Sequence, residues 1–210
     1  NFGFFSLVKT LGRAFLEAPI SLIGVLDYMA SQQVDCFISN SRNTQRKVKK
    51  YYNRDSEVLN PFIDLKEFEV GKPPSKISEK PFFLVVTRLA SWKRVDIAIE
   101  ACESLSVSVK IVGDGPDLTR LKKLAGGNTE FLGHAPDEEK ISLLSGCSAL
   151  INTQCEDFGI VPLEALACGK PVIAYAKGGV LETVEGSKTG AFFYEQNSIS
   201  LKKVLENFDK

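Results

Sequence analysis

From Phe82 onward the sequence switches repeatedly between short, unbroken apolar runs and amphipathic stretches. FFLVVT (82–87), SVKIVG, TEFLG, SALINT and PVIAYA are each of strand length, with little polar alternation. A strand that is apolar on both faces must be covered on both faces, as in a parallel sheet flanked by helices. The intervening stretches supply those helices. RVDIAIEACESL places Val95, Ala98, Ile99 and Cys102 on one helical face, and GDGPDLTRLKKLA turns at glycines and enters a helix with Pro116 near its start. DEEKISLLSG and VPLEALACG read as two more, the second closed by Gly169, and GAFFYE predicts a last short strand. Strands and helices in strict alternation, joined by right-handed crossovers, predict an α/β, doubly wound, Rossmann-like parallel sheet over residues 81–210.

Residues 1–60 do not make such a unit by themselves. They hold apolar helical stretches, a short strand at VDCFIS, a basic helix at SRNTQRKVKKYYNR and a second strand at EVLN. These elements read as the last part of a domain whose beginning lies outside the sequence. Residues 61–80, with Pro61, Gly71, Pro73 and Pro74 among mixed charges, read as the linker.

The charges balance, with 26 Lys+Arg against 26 Asp+Glu, so no global field draws the chain to nucleic acid, and none is expected as a partner. The local basic run Arg42, Arg46, Lys47, Lys49, Lys50 and Arg54 is foremost a solvated helix face. Attraction of Arg42, Arg46, Lys49 and Lys50 to an anionic bilayer is the second reading. The apolar run from Ala18 to Leu26 is too short to span a membrane. The 5 cysteines form no CxxC pair, and all but Cys155 lie in apolar runs, as expected of buried reduced thiols in a cytoplasmic protein. A single histidine, His134, does not build a metal site with cysteines so spaced.

In an open parallel sheet, ligands bind beyond the carboxyl ends of the strands. The stretch TQCEDFGIVPLE falls there, and it carries Glu156 and Glu164 on either side of Gly159 and Pro162. Pro162 suits the first turn of a helix, where its missing N–H is no loss. Such a helix start aims free backbone N–H groups and a positive dipole end into the cleft, which suits a phosphate, and Gly159 admits a ligand close to the backbone. Glu156 lies in the loop and Glu164 is expected in the first helical turn. Ionised carboxylates only accept hydrogen bonds, and sugar hydroxyls are abundant donors. Arg88 and Lys93, after the first strand of the unit, are placed to grip a diphosphate and stabilise its charge as it departs. Together these features describe a nucleotide sugar. No DxD pair occurs, so cations and the helix start are expected to serve where a metal clamp would, and neither metal nor cofactor is expected.

EDFGIVPLEALACGKPVIA resembles the E-x7-E segment of the retaining GT-B glycosyltransferases of the large family 4 group. TRLASWK is similar to that family's G-R-x4-K diphosphate motif, IVGDGPDLTRLKKLA to its G-x-G-P turn, and EFLGHAPDEEKISLL to its F-L-G-x-V segment. The likeness continues through GGVLETVEGSKTGAFF, and FISNSRNTQRKVKKYYNRDSEVLNPFID looks like the end of the family's N-terminal domain. The mannosyltransferase-like subgroup that builds cell-surface polysaccharides is nearest in flavour, with GDP-mannose as its donor. The resemblance implies that Glu156 contacts the donor sugar, helped by backbone N–H groups around Phe158, Gly159 and Ile160. It further implies that Glu164 binds the ribose, that Arg88 and Lys93 hold the diphosphate, and that the loops at Gly113 and His134 flank the base. The acceptor is implied to be a saccharide or a lipid-linked glycan, met at the inner face of the cell membrane. Thr87 departs from the pattern, standing where the family has glycine.

Several plainer readings stand beside these. Glu156 and Glu164 by themselves suit a cap and a helix-start acid. A glycosidase pair also uses two carboxylates, but hydrolysis gives no reason for the cations and the phosphate-suited helix start. Gly178–Gly179 is either a close-approach loop or a turn. Trp92 and Tyr175 are expected to pack rather than to stack on a ligand. A nucleotide-sugar-binding module without turnover of its own is the alternative of another class.

Overall fold

The computed structural model describes residues 21–68 and 80–208. The chain divides into two compact units, with the boundary between Leu59 and Asn60. In the first unit, helix α1 covers residues 21–32. It is followed by β1 (Ile38–Ser39), α2 (Arg42–Tyr52) and β2 (Glu57–Val58), and β1 and β2 pair in parallel. α2 starts where Ser41 accepts the Thr44 N–H, and it stops at Asn53 in the left-handed region, with Lys49 and Lys50 in its last turn opposing the dipole.

The first strand is shorter than VDCFIS suggests, and Arg54 gives the reason. Its guanidinium donates to the carbonyls of Ser31 at 3.0 Å and Val34 at 2.6 Å, so that backbone is held by a side chain rather than by a ladder. One member of the basic run is thereby a clamp inside its own unit. The segment read as a linker contains a 3-10 turn, Leu65–Phe68, that lies against a helix of the second unit and buries Phe68. Most of the remaining linker, residues 69–79, lies outside the described residues.

The second unit is the alternation read from the sequence. Its elements are β3 (Phe82–Val86), α3 (Val95–Leu105), β4 (Ser108–Val112), α4 (Leu118–Leu124), β5 (Thr129–Gly133), α5 (Asp137–Gly146) and β6 (Ala149–Asn152). α6 (Ile160–Ala167), β7 (Val172–Tyr175), α7 (Val180–Thr183), β8 (Gly190–Phe193) and α8 (Ser198–Leu205) complete it. The six strands run parallel in the order β5-β4-β3-β6-β7-β8. Both faces are covered, and the strands divide their side chains between two cores by strict alternation. Phe83, Val85, Val109, Ile111, Ala149, Ile151 and Ile173 face α3, α4 and α8 in one core. Phe82, Leu84, Leu150, Val172 and Ala174 join Leu144 of α5 and Ala165 of α6 in the other.

The chain first winds outward from β3 to β4 and β5, then returns across β3 to place β6 on its other side. The order therefore reverses between β3 and β6, and a crevice opens there beyond the carboxyl ends of the two strands. The loops that follow these two strands carry Arg88, Lys93 and Glu156.

Candidate donor site at the switch point

After β3 the chain makes a single 3-10 turn, Ser91–Lys93, and then reverses at Arg94, whose φ is 54°. This turn points Lys93 back toward the loop after β6, where its Nζ donates to Glu156 Oε1 at 2.9 Å. Both side chains are largely buried, at 13% and 19% exposure, and Thr153 Oγ1 fixes the lysine by donating to its carbonyl oxygen at 2.8 Å. Nζ also lies 4.2 Å from the centre of the Trp92 ring. Trp92 is 61% exposed, so it does not pack as expected, and its ring flanks the cation instead. Tyr175 does pack, 5.7 Å from Phe193.

Glu156 Oε1 has a second donor, Gln154 Nε2, and Gln154 Oε1 in turn accepts the Thr87 hydroxyl at 3.0 Å. Glu156 Oε2 accepts no hydrogen bond among the described residues and sits beside Gly159, so close that a Cβ there would lie 3.2 Å from it. Gly159, with φ 97°, begins α6 without any side-chain cap. The capping role open to Glu156 is therefore not the one it takes, and the first N–H groups of α6 have no helical acceptors. Pro162 is the third residue of α6, in its first turn. Glu164 is the fifth, one residue further in than expected and just past the first turn, and it is buried to 8% exposure.

Glu164 Oε1 accepts Lys140 Nζ at 3.0 Å, while its Oε2 is buried with no hydrogen-bond partner. Burial works against the Lys140 ammonium, yet the bonds to Glu164 and Asp137 outweigh it and raise its pKa above the usual lysine value. An orphaned buried carboxylate oxygen is costly unless something donates to it. Glu164 itself lines an open cleft of ≈ 520 Å³, together with Arg88, Gly113, His134, Asp137 and Val161. Arg88 is exposed and has no ion-pair partner among the described residues.

Arg88, Glu164, Gly113 and His134 thus share one cleft. Lys93, Glu156 and Gly159 form a second group beside α6's start, and Thr87 belongs to both through its place in the cleft wall and its bond to Gln154. Phe158 is 6% exposed, so its side chain belongs to the interior and only its backbone is near the helix start, whereas Ile160 is half exposed.

Glycines hold both loops in place. A Cβ on Gly113 would lie 1.9 Å from the Thr87 carbonyl oxygen, and one on Gly179 would lie 2.2 Å from that of Asp157. The pair Gly178–Gly179 is thus a close-approach loop, and Gly179 N–H donates to Glu156 O at 2.8 Å. Lys140, Gln154 and the structural use of Thr87 carry no signal in the sequence, since each acts on a partner brought near by the sheet.

Among the described residues no three His, Cys, Asp or Glu side chains gather to hold a metal ion, and no helix is long and apolar enough to cross a membrane. Cys102 and Cys147 are buried, which pushes each thiol up to about 12, and Cys168 is half-buried. Cys36 is exposed, contrary to its apolar surroundings in the sequence, as is Ile38 in the adjoining β1.

A six-stranded parallel sheet in this order, with its charged groups at the reversal, is the α/β unit of a GT-B glycosyltransferase. The chain belongs to the glycosyl transferases group 1 family, whose model matches residues 68–208. It is 30% identical to the human alpha-1,3/1,6-mannosyltransferase ALG2 over 97% of this chain and 55% of that protein. It is 34% identical to the uncharacterized glycosyltransferase MJ1178 of Methanocaldococcus jannaschii, over 60% of this chain and 37% of that one. The crystal structure of Anabaena Alr3699/HepE in complex with UDP superposes with a TM-score of 0.75 at 25% identity, covering 85% of this chain and 55% of that one. The chain spans about half the length of the curated relatives it matches.

Proposed function

We propose that the chain carries the donor half of a retaining, metal-independent glycosyltransferase. It moves a hexose from a nucleoside-diphosphate sugar to a saccharide or lipid-linked acceptor. The observation that carries this reading is Glu164, which keeps one carboxylate oxygen without a hydrogen-bond partner and lines a cleft together with the exposed Arg88. A ribose hydroxyl donating to the Glu164 carboxylate, with the diphosphate reaching toward Arg88, gives each group a partner. Gly113 and His134 then border the base, and Glu156 meets the sugar. As the diphosphate leaves, the anomeric carbon gains oxocarbenium character. Arg88, Lys93 and the α6 N–H groups receive the leaving charge, so no metal ion is required.

The mannosyltransferase name borne by several relatives favours mannose, while the UDP held by the solved relative favours uridine, so both donors belong in the test. Titrating GDP-mannose, UDP-glucose and ADP-glucose into the 210-residue chain, with and without EDTA, should give saturable, EDTA-insensitive binding of one of them. Glu164→Ala should weaken that binding about tenfold or more, through loss of a charge-assisted hydrogen bond. Equal affinity of parent and variant would dismiss the ribose role.

The exposed Arg42, Arg46, Lys49 and Lys50 of α2 support a peripheral contact with an anionic membrane that presents the acceptor. Co-sedimentation with vesicles containing phosphatidylserine, lost in high salt, is the expected result. Equal sedimentation with neutral vesicles would dismiss it.

A further inference from the structure

We infer that Thr87 and Gln154 are positioning residues that aim the free oxygen of Glu156 at the donor sugar, an assignment that rests on the sugar-binding role proposed above for Glu156. The chain of bonds runs from the Thr87 hydroxyl to Gln154 Oε1, and from Gln154 Nε2 to Glu156 Oε1. Its polarity follows from chemistry. An ionised carboxylate has no proton to give, so only the Nε2 end of the amide can face Glu156, and the hydroxyl, which can do either, must donate to the other end. Gln154 is 4% exposed, and a buried amide is costly unless both ends are met. Thr87 and Glu156 meet them, and the amide cannot turn over without placing its oxygen against the carboxylate.

The consequence falls on Glu156. Lys93 and Gln154 both donate to Oε1, which fixes the carboxylate plane and leaves Oε2 beside Gly159 at the start of α6. The two donors differ in what they can do next. The lysine ammonium has three N–H groups and is attracted to an arriving diphosphate, so its hold on Glu156 is shared once donor binds. The amide is neutral and buried and has no such competing partner. It keeps Oε1 in place while Lys93 serves the phosphates. A glycine at position 87 offers no hydroxyl to orient that amide, so the threonine has a use that the turn alone does not explain.

The test compares Kd for nucleoside diphosphate and for its sugar, using GDP with GDP-mannose and UDP with UDP-glucose, on the parent chain, T87V, T87S, Q154M and E156Q. Thermal melts of each variant confirm folding. The expected result is a sugar contribution, taken as the ratio of the two Kd values, that falls about three- to tenfold in T87V and Q154M. Bare diphosphate affinity stays within about twofold in Q154M, whose residue lies outside the cleft wall, and T87S, which restores the hydroxyl, behaves as the parent. If E156Q loses the sugar contribution while T87V and Q154M keep it, the positioning role is overturned and the sugar role of Glu156 stands. If E156Q keeps it too, the sugar role fails and the positioning role with it. A parallel loss of bare diphosphate affinity in Q154M would show a disturbed loop rather than an aimed carboxylate, and would also overturn the inference.

Discussion

Lys93 is tied at three points: its carbonyl to Thr153, its ammonium to Glu156, and the same ammonium to the Trp92 face. So many contacts on one long side chain remove most of its rotamer freedom before any ligand arrives, which is what a preorganised charge needs. Lys93→Ala and Glu156→Gln each remove one charge-assisted interaction, worth roughly 1.5–3 kcal/mol, and each should slow sugar transfer about 10–100-fold. Transfer at the parental rate by both variants would refute their assignment. Gly179 acts in a different way, by having no side chain. With Asp157 O 2.2 Å from where a Cβ would stand, Gly179→Ala must push the 155–158 loop outward. The expected cost is about 1–3 kcal/mol of stability, together with weaker donor affinity. Loss of stability with unchanged affinity would show that the loop's placement does not matter to the ligand.

Helices and strands were the most legible elements, and the reason is burial. β3 and β6 are covered on both faces, so nearly every residue must be apolar and the runs stand out whatever the tertiary detail. The loops that place the two carboxylates were legible as well, because Gly159 and Pro162 have local backbone reasons. What escaped was whatever depends on a partner far along the chain. Lys140 meets Glu164 across 24 positions, and Thr87 meets Gln154 across 67. VDCFIS misled because Arg54 takes the carbonyls that a longer strand would have used. Glu103 shows the same long-range logic at an element boundary. From α3 its carboxylate accepts the N–H groups of Gly126 and Asn128, the Asn128 amide and the Thr129 hydroxyl, fastening the α4–β5 connection. Burial works against its charge, but these donors outweigh it and hold its pKa below the usual glutamate value. A carboxylate depressed on folding stabilises the fold above its unfolded pKa and loses that contribution as pH falls through its folded one. Glu103→Gln should therefore lower Tm near neutral pH, and the gap from the parent should narrow below about pH 4. A gap that stays constant down to acid pH would show that charge is not what fastens this connection.

Across the whole molecule the chemistry is one-sided. Arg88, Lys93, Glu156 and Glu164 all lie in the unit that starts at Asn60, and all stand on loops or a helix start at the reversal between β3 and β6. The first unit contributes none of them, and its own polar bonds, such as Arg54 to Ser31 and Tyr52 to Asp27, close within it. A ligand stabilises only the structure it binds, by about 2.7 kcal/mol at a hundred times its Kd. That free energy is available to amides whose exchange requires opening of the liganded unit, and to no others. Saturating the chain with a donor nucleotide should therefore slow hydrogen exchange in 82–94, 108–115 and 149–167. Exchange in α2 and in the β1–β2 pair should be unchanged. The loops after β3 and β6 should gain most, because the nucleotide touches them directly. Equal protection of α2 would show that the ligand also stabilises the first unit, and protection of α2 alone would remove the site from the switch point altogether.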